Sequence, residues 1–379
     1  MPSVDSVVVG LGVMGASALY ELARRGRDCL GLEQYWAGHP LGSSHGESRI
    51  IRQAYYEHPD YVPLVQEAWR AWRDLEDATG WRLLTETGGL MVGRSDSALV
   101  RGALVSAEQH HLPHDLLDAA ALMRRFPAFR VADGDVGVYE PRAGFLMAER
   151  ATEALLSEAQ RHGAAIHLGC QVQGIAPEGG GVVVHTAEGP IRARQAVVAA
   201  GPWTPALLPA WPVPLTVERQ AVTWLRAQVP QWFHPSRFPV YMREETSGET
   251  FYGFPSLDGS AVKLARHHGG EATSPGRVSR HATAQDIAVA QHFAQETFPG
   301  LTLHVAQATV CLYTNTPDRH FVVGPLSQEA PHIVVLAGFS GHGFKFGPAI
   351  GRVAADLLEA PEAGPALFRP DRFRGAAPT

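Results

Sequence analysis

The stretch DSVVVGLGVMGASALYELARRGRDCLGLEQ, residues 5–34, constrains this chain more than any other. Residues 6–9 are an apolar, strand-forming run. Gly10, Gly12 and Gly15 follow in G-x-G-x-x-G spacing, and Ala16, Leu19, Leu22 and Ala23 then recur at helical intervals. A second strand-like run, 28–32, ends in Glu33. A strand turning on Gly10 into a helix, with Gly12 bare where a pyrophosphate comes close and Gly15 bare where helix meets strand, is the architecture of a dinucleotide site. The phosphates would lie at the helix N-terminus, where unpaired N–H groups point outward. Glu33 is placed to hold both ribose hydroxyls of an adenosine, which disfavours NADP. The motif alone leaves FAD and NAD both open. Cys29, inside the second strand, reads as inert core.

The pattern beyond this unit favours FAD. Residues 61–79 carry Leu64, Val65, Ala68, Trp69, Trp72 and Leu75 at helical spacing. Residues 83–147 mix short strand-like and helical pieces. A helix over 149–162 follows, then strand runs AIHLGCQVQGI, GVVVHTAEG and IRARQAVVAAG, with AEG as a hairpin turn. Residues 215–320 alternate again, and 332–360 read as strand, glycine-rich loop and helix. The expected fold class is α/β: a Rossmann-like FAD-binding domain from discontinuous segments 1–83, 145–216 and 322–379. Segments 84–144 and 217–321 are expected to form a sheet-rich substrate domain. An N-terminal dinucleotide motif closed by a C-terminal glycine loop is more usual for FAD enzymes than for NAD dehydrogenases.

Composition excludes other classes. A net charge of −6 gives no footing for nucleic acid. The longest uncharged stretch, 196–215, contains five prolines and cannot run as a membrane helix. The N-terminus has no basic, signal-like region, so a cytoplasmic location is expected. Cys29, Cys170 and Cys311 are too few and scattered for a disulfide framework or zinc site, and no metal is expected.

Four clusters carry chemistry. GSSHGESRIIRQAYYEH, 42–58, holds His45, Arg49 and Arg52. The two arginines are three apart and would share a face on a helical turn, or form a solvated basic turn. TFYGFPSLDGSAVKLARHHGG, 250–270, holds Tyr252, Lys263 and His267; on a strand Lys263 and His267 face one side, and an outward edge lysine is the plainer alternative. In ATVCLYTNTPDRHFVVG, 308–324, Cys311 and Tyr313 alternate onto one face, and periodicity alone makes Cys311 a small buried hydrophobe. GFSGHGFKFG, 338–347, carries His342 and Lys345 among glycines that allow close backbone approach. Lys263 and Lys345 are the only two lysines among 32 basic residues. Lysine kept where arginine is the habit marks sites wanting a compact, titratable charge.

With these clusters in view, the sequence resembles the monomeric sarcosine oxidase and N-methyltryptophan oxidase family of FAD-dependent amine oxidases. The likeness runs over nearly the whole chain. It is carried by VVVGLGVMG, GSSHGESRIIRQAY, YVPL, YGFPS, VKLARHHGG, VCLYTNTPDRHF and GFSGHGFKF. The resemblance implies oxidative demethylation of an N-methyl amino acid by oxygen, giving the amino acid, formaldehyde and hydrogen peroxide. N-methyl-L-tryptophan, or another amine handled by a flavin oxidase or dehydrogenase, is the alternative. It implies FAD joined to Cys311 through an 8α-S-cysteinyl bond. Arg52 and Lys345 match the grip on the substrate carboxylate. Tyr252, His267 and Tyr313 match the pocket lining. His45 and Arg49 match residues beside the flavin, and Lys263 matches the lysine near N5 that activates oxygen. Ser43, His45, Arg49, Arg52, Gly341, Gly343 and Lys345 are the cofactor contacts it implies beyond Gly10, Gly12, Gly15 and Glu33. The expected partners are the small substrate and oxygen, with no nucleic acid or membrane, and the expected state is a monomer. Where the family has paired histidines this chain has Ser44-His45, and where the family reads HAYGEG it has Gln53, Tyr56 and His58. Residues 242–252 run one longer than in the sarcosine enzyme. These departures are expected to reshape the pocket entrance.

Overall fold

The computed structural model describes residues 3–373. The apolar run at the N-terminus forms the strand Ser3–Val9, which pairs in parallel with Cys29–Glu33 on one side and Gly189–Val198 on the other. Val7 and Val8 are wholly buried, as a strand covered on both faces requires. Ala165–Leu168 adds in parallel beyond Cys29–Glu33. Ile333–Ala337 adds in parallel to the end of Gly189–Val198, and Val322–Pro325 closes that edge antiparallel. With the meander Val172–Glu178 and Gly181–Thr186 the sheet has eight strands. Helix Val13–Arg24 packs against both Ala148–Arg161 and Gly347–Glu359, and Tyr61–Thr79 lies against the last two.

A second sheet of nine strands draws on residues 89–140 and 216–315. Its longest pairing joins Thr216–Ala227 to Leu301–Asn315. Ala261–His267 and Thr250–Gly253 follow antiparallel, and Val240–Glu244 lies parallel to Gly89–Arg94. One face is covered by Ala284–Thr297, whose Phe293 stacks on Phe251 at 4.0 Å. The other face carries Lys263, Ala265 and His267 alternately on one strand, and Cys311 and Tyr313 on another. A small third sheet sets Ser48–Ile51 antiparallel to Gly144–Met147, with Leu84–Glu86 on its far side.

Two local expectations change. Arg49 lies on a strand, not a helical turn, because β-branched Ile50 and Ile51 favour the extended pairing with residues 144–145. The run AIHLGCQVQGI breaks into two strands at Gly169, which turns with φ +74°.

Candidate active site

The glycine turn is built as tightly as its spacing demands. Gly10 has φ +86°, and its N–H donates to the Leu32 carbonyl at 2.8 Å. A Cβ on Gly15 would stand 1.8 Å from the Gly10 carbonyl oxygen, so no side chain is possible there. At the helix start, the Val13 N–H donates to Ser44 Oγ at 3.0 Å, tying residues 42–48 to the turn. Glu33 accepts from the Leu11 N–H at 2.9 Å and the Tyr35 N–H at 3.1 Å, and lies 3.3 Å from His39 Nε2. Burial alone would raise its carboxyl, but these partners outweigh burial and hold it below the usual range.

From Glu33 a cavity of about 510 Å³ runs past Gly10–Met14 and the wall at Cys170–Gln173. It continues to a second end lined by Arg49, Arg52, Tyr252, His267, Cys311, Tyr313 and Lys345. Gly341, Gly343 and Ser43 line it as well. Thr314 Oγ1 on this wall has no hydrogen-bond partner among the described residues. A Cβ on Gly341 would enter the Tyr313 ring, 2.3 Å away. A long cleft with an acid at one end, a helix N-terminus in the middle and an unpaired polar atom on its wall fits a dinucleotide.

Cys311 sits where the segment 43–49 crosses the second sheet. Its sulfur is 3.9 Å from the Arg49 guanidinium and 3.9 Å from the His45 carbonyl. Burial opposes ionisation of the thiol, yet His45, Arg49 and Lys263 overcome it and pull Cys311 down to about 6. Arg49 is fixed by the carbonyls of Ser43 at 2.9 Å and Ser48 at 2.8 Å and by that of His45. His45 is buried behind this layer, with Nε2 unpartnered among the described residues.

Arg52 is fully buried between the rings of Tyr55 at 4.2 Å and Tyr56 at 4.8 Å. One of its nitrogens holds both carboxylate oxygens of Glu57 at 2.7 Å. Lys345 donates to the His342 carbonyl at 2.6 Å and to Tyr55 Oη at 3.4 Å. Burial, followed by the charge on Arg52, lowers it to about 7. His267 lies 3.3 Å from Tyr313 Oη, and burial with the surrounding cations holds its ring neutral.

Lys263 is not an outward edge lysine. It is buried, donates to the carbonyls of Gly46 and Ser48, and lies 4.5 Å from the Phe254 ring centre. Burial and then Arg49 lower it to about 7. It lines a separate cavity of about 220 Å³ with Glu47, Ser48 and Trp224, so the two lysines open on different spaces. Glu57, Tyr55 and Glu140 carry parts of the site that the spacing of residues does not reveal. Glu140, on the second sheet, receives the N–H groups of Gln53 at 2.7 Å and Ala54 at 2.5 Å and so anchors the Arg52 segment.

Residues 5–357 match the family described as FAD dependent oxidoreductase. This chain belongs to that family. The FAD dependent oxidoreductase is 40% identical to a monomeric sarcosine oxidase of Streptomyces avermitilis over 99% of both chains. It is 36% identical to an N-methyl-L-tryptophan oxidase of Salmonella arizonae, covering 97% of this chain and 99% of that one. Among solved structures, NikD, an unusual amino acid oxidase essential for nikkomycin biosynthesis, superimposes with a TM-score of 0.84 at 27% identity over 97% of this chain and 96% of that one. An L-proline dehydrogenase of P. horikoshii shares the fold alone, with a TM-score of 0.84 at 20% identity and complete coverage of both chains. The resemblance read from the motifs therefore holds, as do the α/β fold class and FAD as cofactor. No helix among the described residues is long and apolar enough to cross a membrane.

Proposed function

We propose that this enzyme oxidises an N-methyl amino acid at its methyl group with oxygen and that water hydrolyses the resulting imine, giving the amino acid, formaldehyde and hydrogen peroxide. The observation that carries this reading is the convergence of Arg52, Lys345 and neutral His267 on the end of the cavity that also holds Cys311. Arg52 already binds a carboxylate, that of Glu57. A substrate carboxylate offers the same chemistry, and Lys345 completes a two-cation grip that orients the amine. FAD bound in this cleft would accept a hydride equivalent from the methyl carbon and pass the electrons to oxygen.

The protein's own contributions are electrostatic. The amine must be neutral to release its methyl hydride, and the cations around it disfavour an ammonium. His267, held neutral, adds no charge of its own and can accept a hydrogen bond from the amine N–H. Arg49 supplies a fixed positive field beside the cofactor position. Lys263, a compact cation in its own cavity, is proposed to stabilise the anion formed as oxygen gains an electron. The lowered thiol of Cys311 is proposed to carry the covalent bond to FAD.

The division at 1–83, 145–216 and 322–379 against 84–144 and 217–321, a cytoplasmic location and a monomeric state belong to the same proposal. A peroxide assay comparing sarcosine, N-methyltryptophan, N-methylalanine and proline tests it. Peroxide with an N-methyl amino acid and stoichiometric formaldehyde is expected, and a holoenzyme inert to all four would refute the reading.

A further inference from the structure

His342 lies in the loop between the strand Ile333–Ala337 and the short turn Phe344–Phe346, and it is buried. Its Nε2 is 3.0 Å from the Arg319 carbonyl oxygen. A carbonyl can only accept, so Nε2 carries the proton. Burial, with the charge on Lys345, holds the imidazole at about 3 and therefore neutral. Nδ1 is then a bare lone pair, and the hydroxyl 2.6 Å from it, Tyr55 O–H, must be the donor. With its proton committed, the Tyr55 oxygen presents lone pairs to Lys345 Nζ at 3.4 Å. The His342 carbonyl takes a second Lys345 N–H at 2.6 Å. Two of the three ammonium hydrogens are thus directed by residue 342 and its tyrosine, and one is left for a ligand.

Tyr55 is itself immovable. It is wholly buried, stacked on Tyr61 at 4.7 Å and set edge-on to Phe346 at 5.2 Å. Its ring also lies 4.2 Å beneath the Arg52 guanidinium, so one residue spaces both cations. Arg319 holds its carbonyl toward His342 with φ +60°, and Ser340 in the same loop has φ +46°. Backbone held in this costly region on both sides of one imidazole shows that its placement is over-determined.

We propose that His342 is a positioning residue which, through Tyr55, aims the ammonium of Lys345 at the substrate carboxylate. The inference rests on reading Arg52 and Lys345 as the carboxylate grip. It differs from a packing role because the tautomer matters: an asparagine places an acceptor near the position of Nδ1, while a phenylalanine fills the space without one.

The test is acetate binding to the FAD-loaded protein by titration calorimetry at slightly acid pH, for wild type, Tyr55→Phe, His342→Asn, His342→Phe and the double variant Tyr55→Phe/His342→Phe. Tyr55→Phe and His342→Phe should each weaken acetate about tenfold, the loss of one well-placed hydrogen bond. His342→Asn should stay within about twofold of wild type, and the double variant should be no weaker than either single, because both cut the same chain. Unchanged affinity in Tyr55→Phe, equal losses in His342→Asn and His342→Phe, or losses that multiply in the double variant would each overturn the proposal. If His342→Phe does not fold, Tyr55→Phe and His342→Asn decide by themselves. Acetate binding needs no turnover, so failure of the relay and failure of the proposed activity read out separately.

Discussion

The two lysines share a predicament and answer it differently. Each is a cation inside the fold, and burial pulls each ammonium to about 7. Lys345 faces the long cleft and has Arg52 beside it, so a carboxylate arriving there offsets the positive charge that Glu57 leaves uncompensated on the pair. Replacing Lys345 with Ala removes one charge-assisted bond, and KM for the amino acid should rise about 10- to 100-fold. A KM unchanged from wild type would exclude the grip. The sign of the pH effect follows from the same residue. The ammonium form binds an anion and the amine form does not, so acetate affinity should fall by up to about tenfold per pH unit above neutrality, and the fall should vanish in Lys345→Ala. Lys263 faces the smaller cavity, out of reach of that carboxylate. Lys263→Met should leave anaerobic reduction by substrate nearly intact while slowing reoxidation by oxygen about 10²- to 10³-fold, the scale of losing one preorganised charge. Stopped-flow measurement of the two half-reactions separates these, and equal slowing of both would remove the oxygen role.

At the scale of elements, the glycine turn makes a sharper claim than its motif. Gly15 lies in the first turn of the first helix and Gly26 just past its end, and the two are glycine for different reasons. A Cβ at Gly15 collides with the Gly10 carbonyl oxygen, whereas Gly26 has φ +74° and open space around it. Gly26→Ala should cost about 1–2 kcal/mol of stability and keep full FAD content. Gly15→Ala must displace the turn itself and should purify with little or no flavin, which the visible absorbance per polypeptide reports. Equal flavin content in the two variants would contradict this. The same contrast explains what could be read from the chain. The turn, Glu33, and the shared face of Cys311 and Tyr313 follow from local spacing, which periodicity of 2 or 3.6 exposes. Arg49 was open to misreading because three-residue spacing suits a helix, while its neighbours Ile50 and Ile51 prefer a strand. Glu140 beneath Gln53 and Ala54, 87 and 86 positions away, left no local signal at all, since one sequence does not record which distant groups will pair.

Over the whole molecule, the cleft is a joint between two sheets. Its acid, Glu33, and glycine turn belong to the eight-stranded sheet, and its sulfur, on the strand Leu301–Asn315, belongs to the nine-stranded one. FAD spanning the cleft would touch both, and a bond at Cys311 would make that bridge permanent. The stability of the fold would then include the cofactor without depending on how much free FAD is present. Cys311→Ser changes this in a defined way. The hydroxyl cannot supply the thiolate that His45, Arg49 and Lys263 favour, so FAD is held only by reversible contacts. A ligand that binds the native state alone stabilises it by RT ln(1 + [L]/Kd), about 2.7 kcal/mol at a hundredfold excess over Kd. The Tm of Cys311→Ser should therefore climb as FAD is added, while that of wild type stays fixed. Acid denaturation should leave the yellow colour on the wild-type polypeptide and release it from the variant. A wild-type Tm that also climbs with added FAD, together with flavin freed by acid, would show that Cys311 does not tie the two sheets together.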